Sequence, residues 1–343
     1  TSRFKYSLNL KAEVPIYLGK KLKNEDRKME VIHEISSLKY KKEERDVKFQ
    51  VIQLFLKGYL LEEQIDLLAE KIVEDSTVIS LTEKLKANGL VTYNDVLRSK
   101  LQRSNHEMDY YDLQNELRIL KHELISLLSL PETTKVELNT EGLISEIGES
   151  ENLQKLVELS VKQDERIQIA EESINLEKID QKIVKANVLP QVFGFAEYGF
   201  NYPNLNFYPP QKHLYRFGTV GIGVKIPISN HYKNKVKVNR ASQQIEQSKI
   251  QLDDLKDRLT HEIFAAQQRL WEVDRKIKIA NQAIQQAEEN YRIVKVKYNN
   301  QLSLITDLVD ADNAYLTAHT NLIDLKINKQ LKQYQLAYLL GNI

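Results

Sequence analysis

Between Pro227 and Gly341 the chain contains neither glycine nor proline. So long an uninterrupted helix-compatible run has few folding outcomes, because an ordinary globular helix spans only a few turns. Within it, Val238, Ile245, Leu252, Leu259, Ala266, Val273, Ala280, Ala287 and Val294 recur every seven residues, and all are apolar. A second row begins at Ala241 and Leu255, then resumes one residue later as Ile263, Leu270, Ile277, Ile284, Tyr291 and Tyr298. Paired apolar rows at this period mark a long helix packed against others as in a coiled coil. The polar cluster Asn299-Asn300-Gln301-Leu302-Ser303 interrupts the rows, and predicts a helix–helix turn. The pattern resumes through Leu304, Leu308, Ala311, Tyr315, Ala318, Leu322 and Leu325 to Leu340-Gly341, where glycine can stop a helix. A long helix over 231–299 and a short one over 305–340 are expected. The first would extend about 100 Å at 1.5 Å per residue.

The start of the chain follows another period. Phe4, Tyr6, Leu8, Leu10, Ala12 and Val14 alternate with Lys5, Ser7, Asn9, Lys11 and Glu13, which predicts a strand over 3–14 with one apolar face, ended by Pro15. A heptad row through Tyr40, Val47, Leu54, Leu61 and Leu68 predicts a long helix over about 18–87. A turn at Asn88-Gly89-Leu90 then leads to a short helix over about 93–130. A polar connector occupies 132–150 and a helical pattern 151–188. Two further strands are expected at about 190–201 and 214–226, the last with Val220, Ile222, Val224 and Ile226 on one face. Nine of the 27 aromatic residues lie between Phe193 and Phe217, a clustering that suits a membrane–water interface.

Residue n laid against n+212 gives a gap-free internal match. Pro15 falls on Pro227, Asn88 on Asn300, Leu90 on Leu302, Asp95 on Asp307, Leu124 on Leu336 and Leu128 on Leu340. The chain is therefore expected to be a duplication, with repeats over 1–131 and 132–343. The second repeat carries a helix and a strand that the first lacks, so the first is expected to be incomplete at its N-terminal end.

Composition narrows the function classes. With 49 basic and 48 acidic side chains the formal charge is +1, which argues against a nucleic-acid partner. Cysteine is absent, so disulfides and thiol chemistry are excluded. No apolar run reaches the roughly 18 residues of a spanning helix, and membrane entry would have to use strands. His33, His106, His122 and His261 each precede a glutamate, but none has a second histidine at the spacing of the helical zinc motif. No phosphate loop, nucleophile elbow or other catalytic constellation is present. No enzyme activity, cofactor or metal is expected.

The segments Ala-Asn-Gly-Leu-Val-Thr-Tyr-Asn-Asp-Val-Leu (87–97) and Leu-Ser-Leu-Ile-Thr-Asp-Leu-Val-Asp-Ala (302–311), with the ending Ala337-Tyr338-Leu339-Leu340-Gly341, resemble the TolC family of bacterial outer-membrane efflux proteins. Leu189-Pro190 and Val220-Gly221-Ile222-Gly223-Val224-Lys225-Ile226-Pro227 are also similar to that family. The resemblance implies a mainly α chain with a small β part. It implies a homotrimer whose strands share one transmembrane β-barrel and whose antiparallel coiled coils form an α-barrel in the periplasm of a Gram-negative bacterium. The implied partners are outer-membrane lipid, a periplasmic adaptor at the tips Asn88, Gly89, Leu90, Asn300, Gln301 and Leu302, and through it an inner-membrane transporter. Phe4, Tyr6, Leu8, Leu10, Val220, Ile222, Val224 and Ile226 would face lipid. Asp307 and Asp310 would form an acidic ring at the periplasmic entrance. From the residues alone, the dipole and capping preferences of a helix N-terminus are the better account of them, and it is the resemblance that favours the ring. Tyr298 and Asp95 match residues that hold the entrance shut, and are expected to share a hydrogen bond; Ser303 stands where the family's lock has an arginine. Tyr298 also continues the packing row. The implied function is a passive exit duct for small molecules or proteins; the alternative is a soluble coiled-coil scaffold or periplasmic adaptor.

Overall fold

A computed structural model describes residues 4–139, 153–204, 208 and 211–343. The expectations for residue 3, for 140–150 of the connector and for the first two residues of the following helix lie outside the described residues. The elements run β1 (Tyr6–Leu18), α1 (Lys21–Ala87), α2 (Tyr93–Leu127), α3 (Leu153–Gln163), α4 (Glu165–Ala186), β2 (Gln191–Tyr202), β3 (Tyr215–Lys225), α5 (Asn230–Asn299) and α6 (Ile305–Leu339). The chain divides into two units, one of residues 1–41 and 165–256, the other of 42–164 and 257–343.

The first unit holds an antiparallel sheet with β2 central and β1 and β3 at its edges. Register places Leu8 opposite Phe200, Leu10 opposite Tyr198, and Ala12 opposite Ala196. Ala196 in turn opposes Val220, and Gly194 opposes Ile222. The alternating rows thus share one face, which stays open: Leu10 is 65% exposed, Val220 85% and Ile222 72%. On the other face, rings of β2 cover glycines of β3. A Cβ at Gly223 would fall 2.5 Å from the Phe193 ring, and one at Gly221 would fall 2.8 Å from that of Phe195. Beside the sheet, Val31 and Ile35 of α1 pack with Ile179 of α4.

Two boundaries need correction. Pro15 does not end β1, which continues to Leu18 with a register shift between Pro15 and Tyr17; an edge strand with an irregularity tolerates the missing N–H. The helix expected over 151–188 is two helices that meet at Asp164. The Asp164 amide still bonds to the Ser160 carbonyl at 2.8 Å.

In the second unit, Leu61, Leu120 and Leu124 form one apolar cluster. Leu85, Tyr291, Tyr298, Ile305, Leu308 and Ala311 form another near the helix turns. Gly58 is the one glycine inside α1. A Cβ there would lie 2.6 Å from Leu138, so the absent side chain admits the connector. The helix ends repeat at the 212-residue offset. Leu90 N–H donates to Leu85 O at 2.9 Å and Leu302 N–H to Lys297 O at 2.8 Å, while Gly89 and Gln301 take φ of 73° and 63°. Leu130 N–H donates to Ile125 O and Asn342 N–H to Ala337 O, both at 2.9 Å. All four ends use the six-to-one bond of a left-handed C-cap.

Candidate functional site: the helix tips and the buried charges behind them

Asn88, Gly89, Leu90, Asn300, Gln301 and Leu302 are all exposed. Leu302 and Leu304 are 77% and 70% exposed, so each tip presents apolar as well as polar surface. Behind the first tip, the Asp95 carboxylate accepts from Thr92 N–H at 2.7 Å and from the Thr92 hydroxyl at 2.8 Å, while Asp95 N–H donates back to Thr92 Oγ1 at 3.3 Å. This is a capping box, with Asp95 in the glutamate position. Behind the second tip, the Asp307 carboxylate accepts from Leu304 N–H at 3.1 Å and from the Ser303 hydroxyl at 2.8 Å. Asp307 and Asp310 are both exposed, three residues apart on α6.

The expected Tyr298–Asp95 hydrogen bond is not formed within the chain. The Tyr298 hydroxyl lies 3.0 Å from Thr82 Oγ1, and both residues are buried. Asp95 is instead committed to its own helix start. This capping interaction is local in sequence, between residues three apart, and uses one carboxylate oxygen.

The most developed polar site lies deeper, where α1, α2, α5 and α6 meet. Lys71, Asp75, His106 and Asp312 are each at most 7% exposed. Lys71 Nζ donates to Asp312 Oδ1 at 2.5 Å and to Glu74 Oε2 at 2.8 Å. It also sits 4.4 Å from the Tyr291 ring centroid and 4.8 Å from that of Tyr315, so two aromatic faces add cation–π attraction. The other Glu74 oxygen accepts from the Tyr291 hydroxyl at 2.8 Å and from Lys295. His106 Nδ1 lies 2.7 Å from Asp75 Oδ2, and His106 Nε2 lies 3.0 Å from Gln102 Nε2. Gln102 Nε2 also donates to Asn313 Oδ1 at 2.6 Å. A water-sized cavity of about 20 Å³ borders Asp75, Ser99, Gln102 and Asp312.

The charges shape one another. Burial pushes the Glu74 carboxyl up, but its bonds to Lys295, Lys71 and Tyr291 outweigh that and hold it at about 2. Burial pulls Lys71 down, and Asp312 and Glu74 more than reverse the effect. Burial likewise pulls His106 down, and the Asp75 hydrogen bond and charge, aided by Asp312, raise it above its ordinary value. The donor atoms of Asp75, His106 and Asp312 lie within 4.8 Å of one another, a spacing that a metal ion could span. As it stands, Lys71 pairs with Asp312 and the imidazole with Asp75, so the set is joined as an ion-pair network.

The heptad row of α1 leads into this site. The row through Leu61 and Leu68 continues to Asp75 and Thr82, both buried. At the 212-residue offset, Lys71, Asp75, Gln102 and His106 correspond to Ala283, Ala287, Ala314 and Ala318. Four polar residues against four alanines on equivalent helix faces was the available signal.

The described residues build long helices and a small antiparallel sheet with an open apolar face, and no helix among them is long and apolar enough to cross a membrane. The chain superposes on OprN with a TM-score of 0.80 at 12% identity, covering 99% of this chain and 82% of that one. On VceC of Vibrio cholerae the TM-score is 0.80 at 17% identity, covering 98% and 80%. On CmeC of Campylobacter jejuni it is 0.77 at 15% identity, covering 98% and 71%. A comparison with curated protein sequences gives no match. The chain belongs to the outer membrane efflux protein family, whose profile matches residues 156–342, more than half of its length. It is an efflux channel of the Gram-negative outer membrane and not an enzyme. TolC-family channels are typically trimeric parts of tripartite efflux systems.

Proposed function

We propose that three copies of this chain assemble into one passive exit duct, descended from an internal duplication. The observation that carries this reading is the sheet: its apolar face is exposed and its edge strands β1 and β3 have outward edges with no partner in the chain among the described residues. Open strand edges are not tolerated in lipid, so neighbouring copies must close them, with Phe4, Tyr6, Leu8, Leu10, Val220, Ile222, Val224 and Ile226 against the bilayer. The repeated helix ends at the 212-residue offset support the duplication. The exposed leucines at the tips, Leu90 and Leu302 among them, suit a periplasmic adaptor that couples the duct to an inner-membrane transporter.

Asp307 and Asp310 form the acidic entrance in this reading. Six carboxylates from three copies would favour cations at the constriction. Replacing both with Asn should lower cation selectivity in planar bilayers and weaken block by multivalent cations. Unchanged selectivity would return Asp307 to its capping role alone. A purified protein that is monomeric in mild detergent would overturn the assembly itself.

A further inference from the structure

The four-helix network contains an uncompensated charge. Its buried members are Lys71, Asp75 and Asp312, one cation against two carboxylates, while Glu74 and Lys295 pair with each other at the partly exposed margin. One further positive charge balances the set, and the only other basic group in it is the His106 imidazole. An unbalanced charge in a buried site is costly, and here it would stand among α1, α2, α5 and α6 together. His106 lies thirteen residues past the start of α2, about 20 Å from the tip at 1.5 Å per residue.

The amides beside the imidazole can serve either protonation state. In the arrangement seen, Gln102 Nε2 donates to Asn313 and can give its second hydrogen to a neutral His106 Nε2. If Gln102 and Asn313 both rotate their amides by half a turn, Gln102 Oε1 accepts from a protonated Nε2–H and from Asn313 Nδ2–H. His106 Nδ1–H donates to Asp75 in both states. The site therefore gains a proton without losing a hydrogen bond, and a water-sized cavity borders its partners Gln102 and Asp75.

We propose that His106 is a proton sensor for the entrance: its protonation balances the buried network and holds the helix pairs together, and its deprotonation loosens them, so the channel conducts more freely as pH rises. This rests on the reading of the tips as the entrance. The charged groups that act on His106 are Asp75 and Lys71 from α1 and Asp312 from α6. Because the folded protein raises the imidazole above its ordinary value, the stabilisation is complete below about 6.5. It is lost as pH climbs through the raised value. Burial also draws Asp312 upward, which acts in the same direction at lower pH.

The test uses the full protein in lipid bilayers from pH 6.0 to 8.5, with thermal unfolding in detergent over the same range. Wild type should conduct at least about threefold more at the top of this range than at the bottom, and its melting temperature should fall as pH rises. His106→Gln should conduct at the high level throughout, with a flat stability profile. Asp75→Asn keeps the imidazole but removes its carboxylate, and should move the wild-type transition to lower pH. A flat wild-type conductance, or an unchanged pH response in His106→Gln, overturns the proposal. If His106→Gln does not fold, an unmoved transition in Asp75→Asn overturns it. A histidine-dependent stability slope with flat conductance shows a sensor that does not gate, and overturns the gating while sparing the channel. The same slope in a protein that conducts at no pH overturns the entrance reading as well.

Discussion

At the scale of single residues, burial turns ordinary helix-surface chemistry into structural constraint. Lys71 would be unremarked on an exposed face, yet at 4% exposure it joins two carboxylates and two tyrosine rings. Breaking a buried pair by removing one partner typically costs about 3–5 kcal/mol, whereas replacing both partners by apolar groups can be neutral. Lys71→Met should therefore lower the melting temperature sharply, and adding Asp312→Leu should recover much of the loss. Purely additive losses in that cycle would show the pair to be uncoupled. Glu74 supplies a pH signature of opposite sign to that of His106. Its folded carboxyl, at about 2, lies below its ordinary 4.5, so its stabilisation is present above 4.5 and lost as pH falls toward 2. Acid unfolding of Glu74→Gln should accordingly be less steep between those values than that of wild type, read by circular dichroism.

At the scale of elements, termini are better specified than interiors. Both short helices carry in their first turn an aspartate reaching back to the N-cap amide, Asp95 at 2.7 Å and Asp307 at 3.1 Å. Both long helices end on a left-handed residue, but only the first uses glycine. Gln301 holds φ of 63° with a side chain, a conformation that costs an L-residue roughly 1–2 kcal/mol. Gln301→Gly should thus raise stability by up to about 1 kcal/mol after the entropy of the added glycine is set against it, measured by denaturant midpoint. A loss of stability would show that the Gln301 side chain makes a contact worth more than the strain.

For the whole molecule, the decisive surface is the one that contradicts a soluble protein. An apolar sheet face with Val220 85% exposed and Ile222 72% exposed has water as its least favourable neighbour. Lysine on the lipid face of a barrel costs about 2–4 kcal/mol at the bilayer midplane. Val220→Lys should reduce the amount of protein recovered in outer membranes, while Thr219→Lys, on the opposite face, should not. Equal recovery of the two variants would mean that Val220 does not meet lipid.

Periodicity alone determined most of this architecture. The long helices, the tips, the strands and the repeat were legible because each is set by interactions between residues near in sequence: period seven or two, a turn residue, a cap. Asp307 was legible for the same reason, and Asp95 caps its own helix start in the same way. The network of Lys71, Asp75, His106 and Asp312 was not legible in that way. Its members lie on three helices and are separated by up to 241 positions, and polar residues in a helical sequence ordinarily face water. Only tertiary packing decided that these particular ones are buried together, because desolvation and charge balance depend on which helix faces meet.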